Sequence, residues 1–205
     1  MTNKLYIKSY SHIKNQTVLV NGNVIFKEDN ADFPNFIRSA YKNLKTSYSK
    51  FFKMDNLSKL AFLAADVLLK QENLSEEENN IALIFSNNAS SLDTDRKHQK
   101  SIENIEEYFP SPAVFVYTLP NICLGEISIK YKLYSENSFF IFDRFNAEHL
   151  YLYANNLLKN NKAEKVLCGW IDFDENSYEA FLYLVDSKGE IEHNTEEINR
   201  LYNLL

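Results

Sequence analysis

Residues 111–145 read SPAVFVYTLPNICLGEISIKYKLYSENSFFIFDRF, and the parsing of this stretch decides the fold. Ser111-Pro112 opens it, and the apolar run behind stops at Pro120-Asn121, because proline restricts its predecessor and lacks a backbone donor. Residues 114–117 suit a strand or a helical segment. From 121 to 131, Ile122, Gly125, Ile127 and Ile129 favour a helix with a short extended tail, with a strand as the alternative. Ser138, Phe139, Phe140, Ile141 and Phe142 are bulky and aromatic, and they read as a buried strand. In α/β enzymes the carboxyl end of such a strand is a place for a nucleophile. Here it runs into Asp143, Arg144 and Phe145, with no Cys, Ser or Thr among the three. The scaffold is enzyme-like, and its chemistry is missing from the expected corner.

Downstream, Asn146 is placed to cap a helix to about residue 160, with Glu148 in the first turn, where the helix dipole favours an acid. Leu150, Ala154, Leu157 and Leu158 form its inward side. Strands follow at 166–173 and 179–185, and then a polar tail at 190–199 that precedes Leu201, Leu204 and Leu205. Upstream, Ile81-Ala82-Leu83-Ile84-Phe85 does not alternate, as expected of a strand buried on both faces. Leu57, Leu60, Ala61, Ala64 and Leu68 recur at helical spacing over 56–71, with Asp55 or Asn56 as cap. Asp93 or Thr94 suits the start of a helix to about 108, its apolar side being Ile102, Ile105 and Phe109. At the beginning, 4–9 is a strand candidate. Asn21-Gly22 between two apolar triplets signals a hairpin, since both residues tolerate positive φ. Pro34 opens a helical turn bearing Phe36 and Ile37. Strands alternating with helices argue for an α/β layered sheet, mixed because of the hairpin and the final strand pair.

The chain has 205 residues, 45% apolar and 14% aromatic, enough for one large core. Four glycines leave no phosphate-cradling turn. A net charge of −6 with dispersed Lys and Arg argues against a nucleic-acid partner. The densest basic run, DRKHQK at 95–100, reads as a solvated helix start. Cys123 and Cys168 sit in apolar surroundings with neither disulfide nor metal spacing, and read as core. His12, His98, His149 and His193 are scattered. His149, near the start of the long helix, is the one able to approach the strand end, with a structural role the simpler reading. Asp143 with Arg144 reads as an ion pair at the strand-to-helix junction or at a subunit interface, the alternative being a carboxylate site at Arg144. Asp172 and Asp174 lack a third metal ligand, so neither metal nor cofactor is expected. No apolar run is long enough to span a membrane, MTNKLYIKSY has no signal-peptide core, and the cytoplasm is the expected location.

Several segments together carry a family resemblance. Phe52-Lys53-Met54-Asp55 followed by the Leu- and Ala-rich helix to Ala65 is similar to an Arg-Met-Asp helix opening with trailing alanines. Ile81 to Ser86 stands at the next core strand. Ser111-Pro112, Pro120-Asn121, Gly125 and Ile127-Ser128-Ile129 match a Ser-Pro, Asn, Gly, Val-Ser-Ile series. Leu5-Tyr6-Ile7 and Val166-Leu167-Cys168-Gly169 fall in the right order. In these features the chain resembles the N-terminal half of the β-ketoacyl-acyl-carrier-protein synthases, of the thiolase-like superfamily, over 4–185 and most strongly over 52–173. The resemblance implies an α/β thiolase-like half-fold in a single domain, 1–205, with a mixed five-stranded sheet and helices packed on it.

In that family the nucleophile strand ends in Thr-Ala-Cys, the Cys beginning the long helix. Aligning Asn137-Ser138 on the family's Asn-Ser puts Phe142-Asp143-Arg144 over the triplet, with Arg144 in place of the thiol. The sequence also stops before the half that carries the family's two histidines. Condensation needs a thiolate to take the acyl group and donors to stabilise the oxyanion, and arginine cannot form a thioester. The resemblance therefore implies a catalytically silent ketosynthase-like accessory protein, similar to a chain-length factor, in fatty-acid, polyketide or aryl-polyene synthesis, with no activity alone. Its partner would be a second copy or a ketosynthase-like subunit joined through 138–142, with acyl carrier protein a further candidate. The alternatives are half of a split condensing enzyme, with nucleophile and histidines from a partner, and an unrelated α/β binding protein.

Overall fold

In the computed structural model, which describes residues 4–104, 106 and 108–204, the chain begins as an antiparallel meander of β1 (Tyr6–Lys14), β2 (Thr17–Val20) and β3 (Asn23–Lys27). Asn21 (φ 50°) and Gly22 (φ 79°) form the β2–β3 turn, both in the left-handed region as an Asn-Gly hairpin requires. α1 (Phe33–Asn43) is capped by Asp32 and carries Pro34 in its first turn. After a 3-10 turn at Ser49–Lys53 comes α2 (Asn56–Leu69), where the Asp55 carboxylate accepts from the Ser58 amide. Most of α2 is buried, including Ala61, Ala64 and Ala65, whose small side chains let it lie close to its neighbours.

The second stretch alternates. β4 (Ile81–Asn87), buried throughout, leads to α3 (Leu92–Ile102), α4 (Pro112–Val116) and α5 (Ile122–Tyr131). β5 (Asn137–Ile141) and α6 (Ala147–Lys159) follow, then β6 (Lys165–Asp174) and β7 (Ser177–Asp186). β8 (Ile191–Glu192) and α7 (Thr195–Tyr202) end the described chain. The sheet order is β3-β2-β1-β7-β6-β4-β5, with β8 also on β1. β5 and β6 both lie parallel to β4, and the remaining pairs are antiparallel.

Helices cover both sheet faces. α2 and α5 share one apolar cluster with Leu83, Phe85, Leu167 and Leu182. α6 and α7 share the other with Ile84, Cys168, Phe181 and Tyr183. Successive strand residues point to opposite faces, so the unbroken apolar runs of β4, β6 and β7 feed both clusters.

The structure changes several sequence expectations. Among the described residues the sheet has eight strands rather than five, because β1 runs on to Lys14 and pairs with β7, β2 and β8. Residues 112–116 are helical: the Ser111 side chain caps the Val114 amide and Pro112 supplies the first-turn φ. α3 ends at Ile102, short of 108; Phe109 is 84% exposed, and Ile105 lies outside the described residues. The supposed polar tail forms β8 and α7. Residues 138–142 are not a buried strand either, since β5 is a sheet edge whose side chains are half-buried or exposed.

A strand-to-helix corner as candidate functional site

The connection from β4 leaves toward the α2–α5 face, whereas the one from β5 leaves toward the α6 face. Between the carboxyl ends of two such parallel strands the layers part, and this is where α/β sheets place ligands. The corner is built from Asn87 and Asn88 after β4 and from Phe142 to Asn146 after β5. It is laced shut by the Phe142 amide donating to the Asn87 carbonyl (2.9 Å) and the Asn88 side chain donating to the Phe142 carbonyl (3.2 Å). The Asp172 carboxylate, at the end of β6, accepts from the Asn88 and Ala89 amides at 3.1 and 3.0 Å. Those loop amides would otherwise be free to meet an anion, and Asp172 already occupies them. Asp174 beside it pairs with Arg96 on α3. The two aspartates are thus fasteners, and among the described residues no cluster fit for a metal ion occurs.

Asp143 and Arg144 are exposed on the rim of a cleft of about 890 Å3 that also takes in Phe145, Glu148 and Tyr151 and, from α7, Thr195 and Asn199. Asp143 and Arg144 do not pair with each other, because the chain turns here and both side chains reach water. Asn146 caps α6 by accepting from the His149 amide at 3.0 Å. The His149 ring lies against Phe140 (4.5 Å), Phe142 (5.0 Å) and Tyr153 (5.8 Å), and burial among them lowers its pKa. It belongs to this aromatic cluster beside the β5 edge and does not line the cleft.

Neither thiol is near the corner. Cys168 is on β6 and Cys123 on α5, both fully buried, and burial pushes both thiols far above their ordinary range. The aliphatic hydroxyl on the cleft wall, Thr195, has no imidazole beside it among the residues lining the cleft. The corner thus gathers Phe142, Asp143 and Arg144 as the sequence suggests, leaves His149 to the side, and adds Asn88, Asp172, Thr195 and Asn199. The α7 residues had a detectable signal: Asn194 followed three residues later by Glu197, then Ile198 and Leu201, is a helix-capping pattern ahead of an amphipathic turn.

No family model and no curated protein matches the chain. Solved structures do. One described as the ishigamide ketosynthase/chain length factor is 14% identical over 89% of this chain and 62% of that one, with a TM-score of 0.66. The fold is that of ketosynthases and chain length factors. A type II polyketide assembly, AntDE:AntF, in which the acyl-carrier protein is in complex with its ketosynthase, is 14% identical over 98% of this chain and 65% of that one, TM-score 0.64. The ketosynthase ApeO in complex with its chain length factor ApeC, from Xenorhabdus doucetiae, is 12% identical over 97% of this chain, TM-score 0.61. This chain spans 62% and 65% of the matched chains in the first and AntDE:AntF structures, and 90% of that in the ApeO–ApeC structure. Among the described residues no helix is long and apolar enough to cross a membrane.

Proposed function

We propose that this protein is a catalytically silent partner of a ketosynthase-like subunit, similar in role to a chain length factor. The observation that carries the reading is the corner after β5: where an acyl-accepting thiol is needed, Asp143 and Arg144 stand exposed and both cysteines lie elsewhere in the core. Ketosynthases and chain length factors of the same fold occur together in the complexes above, one matched over nearly its whole chain.

The contact would run along β5. The Leu83 amide donates to the Glu136 carbonyl and the Phe142 amide to the Asn87 carbonyl, so even-numbered positions face β4. The backbone groups of Asn137, Phe139 and Ile141 therefore point to the open edge. Such an edge is a template for another strand. An antiparallel two-fold pairing centred on Phe139 would set Asn137 opposite Ile141 and extend the sheet across two subunits. The half-buried rings of Phe140 and Phe142 would close over it.

Ile141→Pro tests this directly. It removes an edge-facing N–H and leaves the β4 ladder its own donors. Light scattering of the protein, alone and mixed with a ketosynthase subunit from the same host, is expected to show a two-subunit particle that Ile141→Pro and Phe140→Arg dissociate. A particle of unchanged mass in both variants would rule out the β5 contact. Incubation with acyl thioesters should leave Cys123 and Cys168 unmodified by mass spectrometry; stoichiometric acylation of either would end the silent-partner reading.

A further inference from the structure

The two sheet faces differ in how their buried polar groups are satisfied. On the α6–α7 face, the ring nitrogens of His12 and His193, the Trp170 Nε1 and the Tyr183 hydroxyl are all buried with no partner at good hydrogen-bond geometry. The two histidines bracket α7. His193 immediately precedes its capping residue Asn194, with its ring against Tyr151 (5.2 Å) and Tyr183 (5.9 Å) and its amide donating to the Leu5 carbonyl. His12, on β1, stacks on Phe181 at 4.7 Å and lines a small cavity with Tyr202 at the other end of the helix. Between them, Ile198 and Leu201 are fully buried, and Tyr202 stacks on Phe145 at 4.1 Å and donates to Glu179 at 2.6 Å.

The segment is held by few attachments: two β8 pairings with Tyr6 and Ile7, the His193 amide, an exposed Lys4–Glu192 ion pair at 3.9 Å, and the side chains just named. Undocking it breaks none of the β1–β7–β6–β4 ladder. We propose that residues 190–204 form an acid-released cap, held down while His12 and His193 are neutral, whose departure uncovers the aromatic floor of Phe145, Phe181 and Tyr183.

A cation at either ring has little to receive it. Around His193 the facing groups are the phenol rings of Tyr151 and Tyr183. Around His12 they are Tyr10 and Lys14 from β1, Glu179 from β7 and Tyr202 from α7. Burial lowers the His12 pKa to about 4, and Lys14 acts in the same direction; the Tyr202 and Leu201 carbonyls and Glu179 oppose it and lose. The Glu179 carboxylate is itself committed, held low against its own burial by Lys14 and Tyr202. Burial likewise lowers His193 to about 4. Each group regains its ordinary value near 6.5 when uncovered, so opening takes up protons below that pH. At pH 5 the opening equilibrium rises roughly 30-fold per histidine and on the order of 1,000-fold for the pair.

Trp170 is the single tryptophan, is 3% exposed and stands edge-on to Phe145, the ring that Tyr202 of the cap stacks on, so it reports the event. Acrylamide quenching and emission wavelength would be followed from pH 8 to pH 4 beside far-UV circular dichroism, on wild type, His12→Gln, His193→Gln and the double variant. The expected result is a gain in quenching between pH 6.5 and 4 while the sheet signal persists, weakened in each single variant and absent in the double. Native-state hydrogen exchange of wild type, where protection at 198–202 should fall faster with acid than protection in β4 and β6, keeps the test open if a variant does not fold. Quenching that survives in the double variant, or protection lost uniformly across the sheet, would overturn the proposal.

Discussion

The same chemical change, glycine to alanine, should have opposite effects at Gly169 and Gly125. Gly169 sits in β6 opposite Leu182 of β7, with φ +155°, in a region L side chains avoid. A Cβ there would lie 1.9 Å from the Phe181 carbonyl oxygen, 2.8 Å from Leu182 Cδ2 and 2.9 Å from Leu182 Cα. Two of those three atoms are backbone, so no rotamer change relieves the clash; β6 and β7 must separate by more than an ångström between two packed layers. Overpacking costs about 1–3 kcal/mol and a residue forced into a sparse backbone region about 1–3 kcal/mol, so Gly169→Ala should cost about 2–6 kcal/mol. Against a typical total of about 5–15 kcal/mol that is a large share. At Gly125, inside α5, an added Cβ meets no atom within 4 Å. There only helix propensity changes, and Gly125→Ala should stabilise by up to about 1 kcal/mol. Urea unfolding followed by circular dichroism and Trp170 emission measures both. A Gly169→Ala protein within about 1 kcal/mol of wild type, or a Gly125→Ala protein that is destabilised, would refute this account of the β6–β7 approach.

Glu72 is held by Lys165 and by Lys8 (2.7 Å), and both lysines also reach Asp186, tying the end of α2 to β1, β6 and β7. Burial alone would raise the Glu72 and Asp186 pKa values, but Lys165 and Lys8 at Glu72, and Lys165 with the Ser187 hydroxyl and Lys188 amide at Asp186, outweigh it and hold both low. Their stabilisation is full above the ordinary carboxylate range and is lost as pH falls through the lowered folded values; Glu72→Gln should cost about 2 kcal/mol at pH 7 and flatten that acid limb in denaturation curves taken from pH 7 to pH 3. Asp66, 3% exposed, accepts from the Tyr131 hydroxyl and from Thr46 at 2.7 Å, so Tyr131→Phe should cost about 1–3 kcal/mol by urea unfolding, and Tyr131→Phe with Asp66→Asn less than the sum of the two alone.

The elements most legible in the sequence were those whose signals are local. Asp55 before an apolar helical stripe, Asn21-Gly22 between two apolar segments, and Asn146 with Glu148 after an aromatic strand each name a specific hydrogen bond or φ value, and each bond or angle is present. Sheet membership is not local. That the opening hairpin joins the same sheet depends on β1 meeting β7, more than 160 positions later, and no periodicity encodes that pairing. The status of β5 as an edge was hidden for the same reason: three phenylalanines in a row of five describe a buried strand and a partner-covered edge equally well. At the corner, identity was legible and geometry was not. The lack of Cys, Ser and Thr at 143–145 could be read directly, whereas the capture of the Asn88 and Ala89 amides by Asp172 needed the register of β4 and β6.

The two faces of the sheet carry different constraints. On the α2–α5 face, buried Asp66 and Glu126 are met by Thr46, Tyr131, Tyr48 and Tyr117 from other segments, so that packing is fixed by paired polar groups as well as apolar area. On the α6–α7 face, the buried imidazoles, indole and phenol find no such partners, and closure rests mainly on apolar and aromatic contact, with the Tyr202–Glu179 and His193–Leu5 hydrogen bonds at its ends. Apolar contact is non-directional, whereas an unpaired buried polar group costs about 1–3 kcal/mol. The first face can therefore serve as the rigid back of the molecule. The second, which also carries the corner after β5 and the cleft beside α7, is where the chain can change its covering without disturbing the strand order that builds the corner.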